Sequence, residues 1–215
     1  MWDSDLQSNY HSLQVAVNRS FSKGLSLKGA YTYSKAIGMA DDNGWAGVNW
    51  DHVDVHHRNR ARTGFDRRQT FQLGFVYELP FDDALSGPIE HGLGGWQASA
   101  ILALLSGQTF DVQAPGSTLD AASAVQTADE VGAVRRLSNV GTSGTFDNTD
   151  AFAVLAGGFR FGASEGNILD RPGITNLGFS LAKNIPIGEK VNTQFRPEFF
   201  NLTNTSQFGR PDNNV

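Results

Sequence analysis

Apolar side chains recur at every second position in several segments of about ten residues. The segment Phe71–Leu79 shows the pattern best, because its residues on one parity, the odd-numbered positions, are apolar and those on the even-numbered positions are more polar. The apolar set is Phe71, Leu73, Phe75, Tyr77 and Leu79, and the other set includes Gln72, Gly74 and Glu78. Successive side chains of a β-strand point to opposite faces, so the pattern predicts ribbons with one apolar and one polar surface. Runs of about nine to eleven residues are long for a globular protein and match strands that cross a bilayer at a tilt. We therefore expect the apolar surface to contact lipid and not a protein core.

Six segments have this periodicity, and the connections between them are alternately short and long. The predicted strands lie near His11–Phe21, Leu25–Ser34, Gln69–Leu79, Trp96–Leu105, Ile174–Ile185 and Val191–Leu202. The short connections are Ser22–Gly24, Pro80–Gly95 and Pro186–Glu189, and the long polar connections are Ala36–Phe65 and Ser106–Arg171. Outer-membrane barrels have this rhythm of brief periplasmic turns and extended outer loops.

The predicted fold class is all-β: an antiparallel up-and-down meander that forms part of a transmembrane β-barrel and carries two long loops. Aromatic residues near both strand ends agree with two interfacial girdles, formed by Tyr31, Tyr33 and Phe71 at the long-loop ends and by Phe21, Tyr77 and Trp96 at the short-turn ends. A closed spanning barrel needs about eight strands or more. We therefore expect the remaining strands to lie outside this chain.

The composition argues against several other classes of protein. No window approaches the roughly 18 uninterrupted apolar residues of a transmembrane helix. The formal net charge is -5 and no basic stripe is present, which gives no support to nucleic-acid binding. The absence of cysteine removes disulfide and thiol chemistry. Since Met1–Asp3 does not begin a secretion leader and the tail is loop-like, we expect residues 1–215 to be part of a barrel that is incomplete at both ends.

Short sequence motifs add a second line of evidence. They occur in order along nearly the whole chain, at Ser8–Gln14, Tyr31–Lys35, Phe65–Arg68, Val76–Phe81, Gly94–Gln97, Leu105–Phe110, Gly166–Leu169 and Gln194–Asn204. Together they resemble the C-terminal barrel region of TonB-dependent outer-membrane receptors of Gram-negative bacteria. The resemblance is closest to the Oar-like branch, whose members usually carry a carboxypeptidase-regulatory-like domain at the front.

This resemblance implies a function, which is energy-coupled uptake of a large or scarce solute whose identity the sequence does not give. The implied partners are outer-membrane lipid, a plug domain, the remaining strands of the same receptor and the TonB energy-coupling complex. The plug, the energy-coupling box and the leader would all lie upstream of this chain, and the family's final strand would follow it. Pro197 occupies a position where the family usually has a small residue such as alanine. Because proline forfeits a ladder hydrogen bond, we expect either a bulge there or a strand that ends early.

The long loop Ala36–Phe65 holds the residues with the most potential for ligand chemistry. The candidate ligand-binding residues are Trp45, Trp50, His52, His56, His57, Arg58 and Arg60. His52 and His56 have the i, i+4 spacing that places two metal ligands on one helix face, and the tryptophans could stack on a ligand or anchor the loop. The sequence has no His-Glu-x-x-His pattern, however, so we predict a solvated surface loop without a metal.

Charged residues also occur on the polar parity of the strands. Lys28, Glu78, Arg196 and Glu198 are predicted to face the barrel lumen. There they could pair across neighbouring strands, or they could contact the plug or a passing solute. Asp66–Arg68, directly before the third strand, is predicted to form ion pairs at the barrel rim, and contact with a substrate anion is the alternative.

Signatures of catalysis are absent from the sequence. It contains neither a nucleophile elbow nor a phosphate loop, so we expect no enzymatic activity and no cofactor. The main alternative to a transporter is a soluble or surface β-sandwich, an adhesin or ligand-binding module in which the apolar faces would pack across a dry core. A metal hydrolase that uses His52, His56 and His57 is a third alternative, and the zinc content of the purified protein would test it.

Overall fold

A computed structural model describes residues 6–40, 50, 53–80, 94–115, 126–137, 147–156, 160–187 and 191–215. The strands in chain order are β1 (Ser8–Ser22), β2 (Leu25–Gly38), β3 (Ala61–Arg62), β4 (Gln69–Glu78), β5 (Trp96–Leu105), β6 (Thr109–Phe110), β7 (Gln113–Ala114), β8 (Gln126–Thr127), β9 (Asp129–Glu130), β10 (Phe152–Ala153), β11 (Leu169–Asp170), β12 (Ile174–Ile187), β13 (Val191–Phe195) and β14 (Glu198–Phe199). Short 3-10 helices lie at His56–Asn59 and Thr149–Ala151. Within these described ranges, no helix has the length and apolar character needed to span a membrane.

The long strands form one antiparallel main sheet, in which strands that follow each other along the chain are also neighbours in space. The strand order is β1-β2-β4-β5-β12-β13, with β3 paired to β2 and β14 paired to β12. This confirms the predicted all-β meander. The sheet is open in the described part of the chain, since β1 and β13 are its two ends. We call the edge where β2 leads to β4 and β5 leads to β12 the long-loop edge, and the opposite one the short-turn edge.

The register places the apolar parities of all the long strands on one side of the main sheet, which we call the apolar face. Directly opposed residues share a face, and one such cross-strand row consists of Leu27, Phe75, Ala100, Phe179 and Phe199. Near the ends of the sheet this face is open, with Leu13 61% and Phe195 63% exposed. The described residues contain no second large sheet that could pack against it, as a β-sandwich requires. The opposite side, which we call the polar face, carries the other parity.

The first hairpin closes with the predicted tight turn. Lys23 and Gly24 both have positive φ, 50° and 76°, which is the geometry of a two-residue turn that follows the twist of the strands. A Cβ atom on Gly24 would lie 2.9 Å from the carbonyl oxygen of Glu78 in the neighbouring strand. Glycine is therefore required here both for the backbone conformation and for the close approach of β4.

Three predicted strand boundaries were wrong. The first hairpin is longer than predicted, because β1 already begins at Ser8 and β2 continues to Gly38. Pro186 was predicted in a turn but lies within β12, opposite Asn192 of β13. The ladder of β12 with β5 ends at Lys183, and the Asn184 N–H still donates to the Gly95 carbonyl oxygen at 3.0 Å. At Pro186 the described residues give β12 a partner on the β13 side only. A proline is tolerated where one side of a strand has no partner.

The sixth predicted strand is interrupted at Pro197. The segments before and after it, β13 and β14, pair with β12 in the same register, so no extra residue is inserted. The Leu181 N–H still donates to the Pro197 carbonyl oxygen at 3.2 Å, but proline has no N–H to return. The bulge alternative is therefore wrong. The regular ladder then ends at Phe199, before the predicted Leu202. Asn201 has a positive φ of 49°, and the Leu202 N–H still donates to the Leu177 carbonyl oxygen of β12 at 2.7 Å.

The segment between β5 and β12 folds into a small packed unit at the long-loop edge. We call its described residues, 106–115, 126–137, 147–156 and 160–171, the rim module. The ladders β6–β11, β7–β8 and β9–β10 surround a hydrophobic core of Phe110, Val112, Ala114, Ala128, Ala151, Phe152, Leu155 and Leu169. Val215 of the C-terminal tail packs against this core. The sequence predicted only a polar surface loop here, so the packed core is a structural finding.

Candidate functional site

The polar face of the main sheet carries a groove of about 620 Å³. Most of the groove surface is apolar, and polar groups are spaced along it. The polar and small residues are Ser26, Lys28, Gly74, Ser99, Asn176, Gly178, Ser180 and Glu198, and the apolar residues are Phe75, Val76, Ala100, Ile101, Ala103, Phe179, Phe199 and Phe200. The hydroxyl oxygens of Ser99 and Ser180 lie 2.7 Å apart across β5 and β12. The groove therefore combines a mostly apolar surface with a few hydrogen-bonding groups, which is the usual chemistry of a small-molecule site.

Ile101 is the most exposed apolar residue of the β5 wall, with 70% of its surface exposed. In its cross-strand row it lies between Gly74 and Gly178, and Lys28 follows beyond Gly74. Because glycine has no side chain, Ile101 projects from the floor of the groove. Within the described residues Lys28 makes no ion pair, so its ammonium group is available to a ligand in the groove.

The other charged residues of the polar parity lie in two places. Glu78 ends β4 opposite Gln97, at the short-turn edge. Arg196 and Glu198 are close together, with Arg196 Nε 3.5 Å from Glu198 Oε1 and about half of each side chain exposed. An exposed pair of this kind contributes little to stability. The structure thus brings Lys28 and Glu198 to the same groove, whereas Glu78 lies outside it.

Trp50 and Arg58 join the two long loops at the rim. The Trp50 side chain is buried, with 1% exposed, and the Arg58 guanidinium carbon lies 4.6 Å from its ring centroid. Arg58 Nη2 donates to the carbonyl oxygens of Gly162 at 2.7 Å and Ser164 at 3.0 Å, both in the rim module. Burial lowers the pKa of Arg58, and the nearby charge of Glu165 raises it. The pair therefore forms a cation–π contact that also connects the two loops through hydrogen bonds.

Replacing Arg58 by methionine should loosen the contact between the rim module and the first long loop. Methionine keeps an apolar stem against Trp50 but removes the charge and both hydrogen bonds to carbonyl oxygens, so we expect a loss of about 1.5–3 kcal/mol in the free energy of unfolding. Thermal unfolding and limited proteolysis with proteinase K measure this. The control is Arg60→Met, which removes an exposed arginine with one hydrogen bond, to Asn9. Equal cleavage rates for the two variants would contradict the prediction.

Of the other loop candidates, His56 is linked to Trp50 through Asn59, whose Nδ2 donates to the Trp50 carbonyl oxygen at 2.7 Å. His56 is half-buried, and its carbonyl oxygen accepts a hydrogen bond from Asn59 Nδ2 at 3.0 Å. His57 is exposed. Arg60 is exposed and reaches β1, where its Nη2 donates to Asn9 Oδ1 at 2.9 Å.

Trp45 and His52 lie outside the described residues. Among the residues that the structure does describe, no group of three or more histidine, aspartate or glutamate side chains could hold a metal ion.

A buried ion-pair network fixes the rim module to the main sheet. Asp66 is 1% exposed and accepts hydrogen bonds from the Ala36 N–H and from Arg62 Nε, both at 2.8 Å. Arg62 Nη1 in turn lies 2.8 Å from Asp170 Oδ1 in β11. The predicted rim ion pair is confirmed for Asp66. The link to Asp170 was missed, because nothing in the local sequence connects two residues in different loops.

A protein-family model matches the chain over its full length. The family is described as Outer membrane beta barrel domain, and the match covers residues 1–215. No curated protein and no solved structure gives a significant match. The family match agrees with the long antiparallel strands, the exposed apolar face and the polar groove on the opposite face.

Proposed function

Because the chain belongs to the family of outer membrane beta barrel domains and is located in the outer membrane, we propose that it is part of a TonB-dependent receptor of the Oar-like branch. In this proposal residues 1–215 supply barrel wall and outer loops for energy-coupled uptake of a large or scarce solute. The resemblance of the motifs from Ser8–Gln14 to Gln194–Asn204 supports the finer assignment.

The observation that carries the proposal is the two-sided main sheet with its rim module. The apolar face has exposed side chains suited to lipid, and the polar face has a groove with Lys28, Ile101 and Glu198 that suits a lumen. The rim module packs at one edge only, as extracellular loops do above a barrel. A receptor needs such a wall and such a rim, and it needs no catalytic group. The proposal therefore includes no enzymatic activity and no cofactor.

Such a receptor would have several partners. Outer-membrane lipid would cover the apolar face, while a plug domain and further strands of the same receptor would complete the lumen. In the part of the chain that the structure describes, the main sheet has six strands along its path, fewer than the roughly eight or more of a closed barrel. The TonB complex of a Gram-negative bacterium would supply the energy. No observation favours the β-sandwich module as a second candidate.

Depletion of solutes from the growth medium tests this function. Mass spectrometry would compare the spent medium of the native host, of a strain that lacks this gene and of a strain that lacks the energy-coupling protein. We expect at least one solute to remain in the medium of both deletion strains while the native strain removes it. Identical solute profiles in the native strain and the gene deletion, across nutrient-limited media, would refute the uptake proposal.

A further inference from the structure

Two arginines lie on either side of one residue where the main sheet meets the rim module. Arg67 precedes β4 and Arg171 precedes β12, and both strands flank β5. The backbone of Arg67 forms a β-bridge with Gln108, and the Arg171 N–H donates to the Gln108 carbonyl oxygen at 2.7 Å. The antiparallel meander therefore brings together two cations that are far apart in the sequence.

A third arginine reaches the same segment from the C-terminal tail. Arg210 Nη2 lies 3.1 Å from Asp111 Oδ1, three residues beyond Gln108. The tail is held there by its backbone, because the Gln113 N–H donates to the Asn213 carbonyl oxygen at 2.7 Å. The position of Arg210 is thus fixed by the fold and not by its side chain alone.

The charges in this cluster are not balanced. Arg67 Nη1 donates to the Ser106 carbonyl oxygen at 2.7 Å, and Arg171 Nη1 lies 3.5 Å from Gln108 Oε1, so both arginines contact neutral oxygens. Asp111 is the carboxylate that Arg210 contacts. It also accepts hydrogen bonds from the side chains of Gln113 and Asn213. Among the described residues, neither Arg67 nor Arg171 has a carboxylate partner.

Of the three arginines, Arg171 has the least favourable electrostatic surroundings. Its Nε is buried and has no hydrogen-bond partner among the described residues. Burial lowers the pKa of Arg171, and the positive charges of Arg210 and Arg67 lower it further. A buried donor without an acceptor is costly, and an anion bound beside the guanidinium group would offset the repulsion from Arg67 and Arg210.

We propose that Arg67, Arg171 and Arg210 form a binding site for an anionic group, a carboxylate or a phosphate, at the long-loop edge of the main sheet. The guanidinium group presents paired N–H donors whose geometry matches such oxyanions. Arg67 also borders a cleft with Gln14, Thr32 and Thr70. Asp66 lines the same cleft, and its charge is paired with Arg62. The site is separate from the groove around Ile101 and from the histidine-rich loop, and it does not depend on uptake being the function.

Calorimetric titration of the purified protein in a neutral detergent, at constant ionic strength, tests the site. The probes are citrate and inorganic phosphate. We expect saturable binding of at least one probe with a Kd of about 1 mM or tighter. Arg67→Gln and Arg171→Gln should each weaken that binding about tenfold or more, because each removes charge-assisted hydrogen bonds.

The matched control is Arg68→Gln, which makes the same change of charge at the adjacent, exposed arginine. It should leave the affinity within about twofold, since an exposed charge is largely screened. Circular dichroism of every variant shows whether the sheet is intact, and Arg171→Lys, which keeps the charge, replaces Arg171→Gln if that variant does not fold.

A parallel arm identifies the source of the anion. Native mass spectrometry in the same detergent compares retention of phosphatidylglycerol with retention of phosphatidylcholine. Retention of phosphatidylglycerol that depends on Arg67, without binding of citrate or phosphate, assigns the ligand to a lipid headgroup. The proposal is overturned if no probe or lipid binds in a manner that depends on Arg67 and Arg171, or if Arg68→Gln has the same effect as Arg67→Gln.

Discussion

Replacing Leu73 by arginine is expected to destabilise the protein in a bilayer by about 2–4 kcal/mol. Leu73 lies in the middle of β4 on the apolar face, between Gly29 of β2 and Leu102 of β5. Its side chain covers Gly29, where an added Cβ would lie 3.2 Å from Leu73 Cδ1. A guanidinium group at this depth would lose its hydration without gaining a counter-charge. Urea titration of the protein folded into phospholipid vesicles, followed by tryptophan fluorescence, measures the change.

Two control variants separate contact with lipid from burial in a protein core. Gln72→Arg places the same charge on the neighbouring residue of β4, which is exposed on the polar face, and should cost less than about 1 kcal/mol. Leu25→Arg keeps the charge on the apolar face but moves it to the short-turn edge, where the cost should fall to about 0–1 kcal/mol. A dry protein core would penalise Leu25→Arg as strongly as Leu73→Arg. Such a result would rule out lipid as the environment of this face.

The main sheet could be predicted from the sequence because its two faces lie in different environments, so one carries apolar and the other polar side chains. A register shift of one residue would move every apolar side chain of a strand to the polar face, so the alternation in β1, β2, β4, β5 and β12 fixes both the strands and their pairing. The strand ends carry less of this signal. Pro186 was predicted in a turn because the residue type favours one, yet it lies in β12 at a position where, among the described residues, only β13 pairs with the strand.

The rim module and its contacts could not be predicted in the same way. Its strands are two residues long, which is too short for any periodicity, and its core residues are scattered among Gly, Ser and Thr. Phe110 pairs with Leu169 across the whole segment, and Arg58 reaches Gly162 from the other long loop. Contacts of this kind depend on tertiary structure, so the local sequence gives no indication of them. The same holds for the meeting of Arg67, Arg171 and Arg210.

Replacing Asp66 by alanine is expected to lower the stability of the docked rim by about 2–4 kcal/mol, because it leaves two buried or partly buried donors without their acceptor. The variant removes the acceptor of the Ala36 N–H and of Arg62 Nε, each now bonded at 2.8 Å. Arg62 would keep its contact with Asp170 in β11 but would lose the bond that fixes its position against β2. Urea unfolding gives the total loss, and hydrogen exchange at the Ala36 amide reports whether the end of β2 opens with it.

The control variant is Asp150→Ala, which removes an exposed carboxylate of the rim module. Its free energy of unfolding should change by no more than about 0.5 kcal/mol. Asp66→Asn adds a second comparison, since an amide can still accept the Ala36 N–H while it lacks the charge that pairs with Arg62. If Asp66→Asn is as stable as the native protein, the hydrogen bond to β2 stabilises the rim and the ion pair contributes no net stability. If Asp66→Ala is no worse than Asp150→Ala, the rim module is held by its apolar core, and the network does not anchor it to the main sheet.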